Sequence, residues 1–157
     1  MKNKRREKLR ICLVASAGGH ISQLLKLMDS WHGYDTFYVT TAEVVREKLK
    51  KYGMVYVVSE CNRQHPLQVG KVFLQCLTAA IREKPDVVIS TGAAAGCVMC
   101  FLAKLFGAKV IWIDSITNVK RISLSGQLVK NIADLFLVQW PELAAQYKNV
   151  EYVGTLI

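Results

Sequence analysis

The sequence predicts an α/β fold, a doubly wound and mainly parallel sheet. Six short apolar runs of strand length recur along 157 residues, and segments with helical spacing separate several of them. The runs are rich in Val, Ile and aromatic residues and do not alternate strictly with polar ones, which suits strands covered on both faces. Strands alternating with helices build βαβ units with right-handed crossovers.

The runs are ICLVA at 11–15, TFYVT at 36–40, MVYVV at 54–58, DVVIS at 86–90, KVIWI at 109–113 and LFLVQ at 135–139. Helical spacing joins Ile21, Leu24, Leu25 and Met28 after the first run, and Val44, Val45, Leu49 and Tyr52 after the second. A longer helix carries Val69, Phe73, Cys76, Leu77, Ala80 and Ile81. The closing EYVGTLI reads as one more short strand, ending where a continuing chain would enter a second domain. The expected organisation is a basic arm over 1–10 and one Rossmann-like domain over 11–157.

At 52% hydrophobic and 21% charged residues, with 10 Gly and 3 Pro, the chain is neither disordered nor collagen-like. The formal net charge is +9, and the first ten residues hold six bases and one acid. Such an arm suits an anionic phosphate surface, nucleic acid or membrane. Outside the arm the bases are not interleaved with aromatics on one helix, so no nucleic-acid module is expected. No apolar run approaches the roughly 18–20 residues that a spanning helix needs. Five scattered cysteines in a chain that needs no staples suggest reduced thiols. Cys97 and Cys100 form a C-x-x-C without a second pair, so burial in an apolar helix is the expected reading and no metal site is expected. His32 and His65 have no ligand partners at recognisable spacing.

In a doubly wound sheet, ligands bind beyond the carboxyl ends of the strands. The first such loop is Ser16-Ala17-Gly18-Gly19-His20. Its glycines permit close backbone approach, and Ser16, Gly18 and Gly19 are candidate phosphate contacts. His20 is a candidate catalytic base, since imidazole titrates near neutrality; a helix-capping role stays open. The second loop begins Thr91-Gly92 and opens an apolar helix. Gly92 is a candidate phosphate contact, or a small residue that lets helix and sheet pack. The third opens with Asp114-Ser115, followed by Thr117, Asn118, Lys120 and Arg121. Asp114 is a candidate catalytic or orienting carboxylate and Ser115 a candidate acceptor contact, with a turn-forming role open for Asp114.

SAGGH, PDVVISTG, WIDS and, above all, SITNVKRISLSGQLVK followed by ADLFLVQWPEL and YVGTL together resemble one family. It is the family of the membrane-side, acceptor-binding subunit of the two-subunit UDP-N-acetylglucosamine transferase of dolichol-linked oligosaccharide synthesis. Within it, the sequence is most similar to the bacterial capsule and exopolysaccharide relatives. The resemblance covers 11–157 and is most specific from Asp114 to Leu143. It implies the N-terminal, acceptor-side half of a split GT-B glycosyltransferase, whose partner subunit binds the UDP-sugar. Gly18, Gly19 and His20 match the family's first glycine loop, Gly92 its second, and Asp114 with Ser115 its acidic-Ser pair.

The implied acceptor is a polyprenyl-diphosphate-linked sugar, no cofactor is implied, and the chain alone is expected to be inactive. The eukaryotic subunit has an N-terminal anchor where this sequence has the basic arm, so peripheral attachment at the cytoplasmic face of the membrane is expected. Lys71, Arg82, Lys84 and Lys104, flanked by Val69, Phe73 and Leu77, are expected to add to that attachment. Tyr152, Val153, Gly154 and Leu156 are the expected partner interface, because an apolar tail is a poor solvent-exposed end. Two other readings remain: a noncatalytic protein that stabilises a complete transferase, and a soluble nucleotide-binding module.

Overall fold

A computed structural model describes residues 8–61 and 68–156. Most of the basic arm, His65 and Ile157 therefore lie outside the described residues. Seven strands form one parallel sheet: β1 (Arg10–Val14), β2 (Asp35–Thr40), β3 (Met54–Val57), β4 (Val87–Ser90), β5 (Lys109–Ile113), β6 (Leu135–Val138) and β7 (Glu151–Tyr152). Their order is β3-β2-β1-β4-β5-β6-β7, so the chain reverses direction across the sheet between β1 and β4. The predicted α/β doubly wound architecture is the observed one.

The helices are α1 (Gly19–Leu25), α2 (Glu43–Leu49), α3 (Gln68–Glu83), α4 (Ala93–Leu105), α5 (Leu124–Val129) and α6 (Pro141–Gln146), with a short 3-10 turn at Met28–Trp31. Both faces of the sheet are covered. On β1, Cys12 and Val14 enter a core shared with α3, α4, α5 and α6, while Ile11 and Leu13 enter a second core with α1 and α2. This two-sided burial is why the strands read as nearly continuous apolar runs. Trp112 stacks on Phe136 within the larger core.

Four local expectations change. Arg10, expected as the end of the arm, opens β1; its guanidinium pairs with Asp35 and Glu83, and its amide donates to Asp86 at 2.8 Å. The first helix ends at Leu25, and Met28 falls in the 3-10 turn. On α2, Val44 points outward and Leu49 is buried. The closing strand stops at Tyr152: Gly154 turns with φ +131°, and Leu156 folds back against the α1-side core.

On α3 the buried row is Val72, Cys76, Ala79 and Ala80. Val69, Phe73, Leu74 and Ile81 are exposed, Leu74 by 63% and Ile81 by 52%. Small residues occupy the row that packs on the sheet and α4, so the larger apolar side chains face outward. Burial pushes the Cys97 thiol up to about 11 and the Cys76 thiol to about 12, which keeps both protonated near neutrality. Among the described residues, no helix is long and apolar enough to cross a membrane.

Candidate functional site

Beyond the carboxyl edge of β1, β4 and β5 lies a cleft of about 740 Å³. Its walls include His20, Val69, Ala93, Ala94 and, between Ser115 and Gln127, residues such as Arg121 and Leu124 but not Lys120. Parallel strands deliver their following loops to one edge, and the reversal of strand order between β1 and β4 falls at that edge.

His20 is fixed by a reciprocal pair of bonds to the loop after β4. Its Nδ1 lies 2.8 Å from the Thr91 carbonyl oxygen, and the Thr91 hydroxyl donates to the His20 carbonyl at 2.7 Å. A carbonyl only accepts, so Nδ1 carries the hydrogen and the neutral ring keeps Nε2 as an acceptor. Gly92 makes this close approach possible. A Cβ there would stand 2.7 Å from His20 Cε1 and 2.8 Å from Nδ1, and its φ of +127° also favours glycine. Ala93, at the wall of the cleft, has φ +68°, a conformation that side chains adopt at a cost.

Asp114 stands behind the cleft, not in its wall. It is 1% exposed, and its carboxylate accepts four bonds: from Trp112 Nε1 at 3.1 Å, Asn118 Nδ2 at 3.1 Å, Ser123 N at 2.8 Å and Ser123 Oγ at 2.6 Å. The expectation that Asp114 faces the crevice is corrected here, because those donors turn it inward. Ser123 also caps α5 by accepting from Gly126 N at 2.9 Å. A Cβ on Gly126 would come within 2.9 Å of Asp114 Oδ1, so the Ser-x-x-Gly spacing fits a carboxylate pressed against the start of α5.

Ser115 lines the cleft and shares a 3.0 Å hydrogen bond with the Thr117 hydroxyl. Behind it, Gln23 Nε2 lies 3.4 Å from Ser115 Oγ. Gln139 Nε2 donates to Gln23 Oε1 at 2.6 Å and to the Asp114 carbonyl at 3.0 Å. The other end of the same amide, Gln139 Oε1, accepts from Leu156 N at 2.8 Å. One buried glutamine thus ties α1, the loop after β5 and the closing segment together. Of the expected partner-interface residues, Tyr152, Val153 and Gly154 are exposed, whereas Leu156 is half-buried against the chain's own core.

The structure brings His20 and Ser115 to one cleft and sets Gly92 beneath the imidazole. Ser16, Gly18 and Gly19 are not among its walls, and α1 is only 7 residues long. The sequence reading missed Gln23, Gln139 and Ser123. A glutamine ending an apolar strand run was the available signal for Gln139.

The family described as "Oligosaccharide biosynthesis protein Alg14 like" matches residues 56–156. The UDP-N-acetylglucosamine transferase subunit ALG14 of Mus musculus is 26% identical over 97% of this chain and 85% of that protein. The protein of the same name in Yarrowia lipolytica is 37% identical over 94% of this chain and 81% of its own length. Among solved structures, MurG of Acinetobacter baumannii superposes with a TM-score of 0.75 at 16% identity, over 94% of this chain and 45% of that one. UDP-N-acetylglucosamine 2-epimerase from Rickettsia bellii superposes with a TM-score of 0.70 at 12% identity, over 96% of this chain and 46% of its own. The chain spans less than half the length of both solved structures, and at these identities the likeness is one of fold.

Proposed function

This chain belongs to the Alg14-like oligosaccharide biosynthesis family, and from that premise we propose that it is the acceptor-side subunit of a two-subunit glycosyltransferase. The assembled enzyme transfers a sugar from a UDP-sugar to a polyprenyl-diphosphate-linked acceptor in polysaccharide biosynthesis. A bacterial capsule or exopolysaccharide pathway is our reading of its setting and rests on the sequence resemblance alone. The observation that carries the proposal is His20: an oriented imidazole with its Nε2 left as acceptor, on the wall of a cleft at the switch point of the sheet.

In this reading Nε2 takes the proton of the acceptor hydroxyl. The hydroxyl oxygen forms a bond to the anomeric carbon of the donor, and the bond from that carbon to the diphosphate oxygen breaks, releasing UDP. Asp114 acts as a positioning residue that holds the Asn118 and Ser123 ends of the loop. The donor-binding wall belongs to a partner subunit, which Tyr152, Val153 and Gly154 contact.

Attachment is peripheral, at the cytoplasmic face of the membrane. The exposed Val69, Phe73, Leu74 and Ile81 of α3, with Lys71 and Arg82 beside them, support this reading, as does the composition of the basic arm. Lys104 contributes less, since its ammonium is engaged with Asp134 at 2.6 Å.

The test is reconstitution. The chain co-expressed with a donor-half partner should transfer sugar from one of a panel of UDP-sugars to a membrane lipid extract, and neither subunit alone should do so. Turnover by this chain without a partner overturns the split-enzyme reading. A partner fully active without this chain favours the accessory role.

A further inference from the structure

The walls of the cleft are chemically one-sided. Among the described residues none that lines it is acidic, and one permanent cation, Arg121, reaches it. Arg10, Arg46, Lys50, Lys104 and Lys109 are each paired with a carboxylate. Arg121 is exposed, and its guanidinium has no hydrogen-bond or ion-pair partner among the described residues. The backbone that carries it is nonetheless anchored on both sides. Asn118 on one side and Ser123 on the other are both bonded to the buried Asp114, and the next residue, Ile122, is 1% exposed. A fork-shaped donor thus projects from an anchored stretch of loop at the wall of the cleft.

Apolar side chains form another part of the wall. Leu124 is 54% exposed, and Val69 is the first residue of the outward row of α3 that continues through Phe73 to Ile81. A ligand that satisfies both features is an amphiphile with a multiply charged anionic head.

We propose that Arg121 is the diphosphate-recognition residue of this cleft and that the ligand's hydrocarbon chain leaves across Leu124 and Val69 toward α3. The identification of the ligand as a lipid rests on the acceptor-side reading above; recognition of a diphosphate by Arg121 does not. A guanidinium engages two oxygens of a diphosphate in parallel, which a lysine ammonium does not reproduce. The glycines of the first loop lie outside these walls, so the anion is assigned to the loop after β5.

The experiment is calorimetric titration of the full chain with inorganic pyrophosphate, farnesyl diphosphate and UDP. Pyrophosphate and farnesyl diphosphate should bind, the latter more tightly. Arg121→Gln should weaken both by about tenfold or more, and Arg121→Lys by less. Leu124→Ser should weaken farnesyl diphosphate alone. Lys120→Gln, at an exposed neighbour outside the cleft wall, should change neither. Unchanged binding in Arg121→Gln, or an equal loss in Lys120→Gln, overturns the assignment. UDP binding as tightly as farnesyl diphosphate overturns the lipid identity of the ligand. Failure of all three to bind overturns the Arg121 proposal alone, because sugar transfer by the reconstituted pair is measured separately.

Discussion

His20 and Thr91 each bond the other's main chain through a side chain: His20 Nδ1 lies 2.8 Å from the Thr91 carbonyl oxygen, and the Thr91 hydroxyl donates to the His20 carbonyl at 2.7 Å. The bonds join the loop after β1 to the loop after β4, across the point where the sheet reverses. They set both the orientation of the ring and the nitrogen that stays available to accept a proton.

Substitution of His20 by Ala should therefore lower turnover of the reconstituted enzyme by about 10² to 10⁴, the usual worth of a positioned base. Co-purification with the partner should be unchanged. Near-normal turnover would reduce His20 to a link between two loops.

Gly92→Ala should be harmful for two reasons, the left-handed backbone and the 2.7 Å approach to His20. We expect a stability loss of about 1–3 kcal/mol in chemical denaturation and a displaced imidazole. Histidine ring NMR shifts of the isolated chain should report that displacement. A variant as stable as the parent, with unmoved ring signals, would refute the account given for Gly92.

Gln139→Leu strands the Gln23 carbonyl and the Leu156 amide, both of which lose their partner in the buried network. The cost should be about 2–4 kcal/mol. Hydrogen exchange should show the Leu156 amide losing protection first, because Gln139 Oε1 is its acceptor. If that amide exchanges equally slowly in the variant, the closing segment is held by other contacts.

Asp134 couples stability to acid. Its carboxylate accepts from Lys104, Lys109 and the amide of Val110, and the Lys104 bond above all holds its pKa well below the usual carboxylate range. The folded state therefore binds this proton less readily than the unfolded one. The resulting stabilisation is complete above the ordinary carboxylate pKa and is lost as pH falls through and below it. Asp134→Asn should narrow the stability difference between neutral pH and about pH 3. An unchanged pH profile would remove Asp134 from the acid response.

The arrangement of strands was readable because it is written at short range. Two-sided burial of β1, β2, β4, β5 and β6 makes each a compact apolar run, and the parallel connections place the following loops at one edge. His20, Gly92, Asp114 and Ser115 could be chosen as candidates on that ground alone. Their geometry could not be read in the same way. Whether Asp114 faces solvent or protein depends on Ser123, Asn118 and Trp112, and its inward turn follows from the start of α5 packing against it. Gln139 reaches Gln23 across 116 positions, and Gln23 reaches Ser115 across 92. The outward row of α3 was ambiguous for a related reason. Val69, Phe73 and Ile81 satisfy helical spacing as well as Val72, Cys76 and Ala80 do, and only close packing on α4 and the sheet selects the smaller residues. Periodicity is a property of neighbours along the chain, whereas the direction a polar side chain takes is set by whichever distant donor or acceptor the folded sheet brings within about 3 Å.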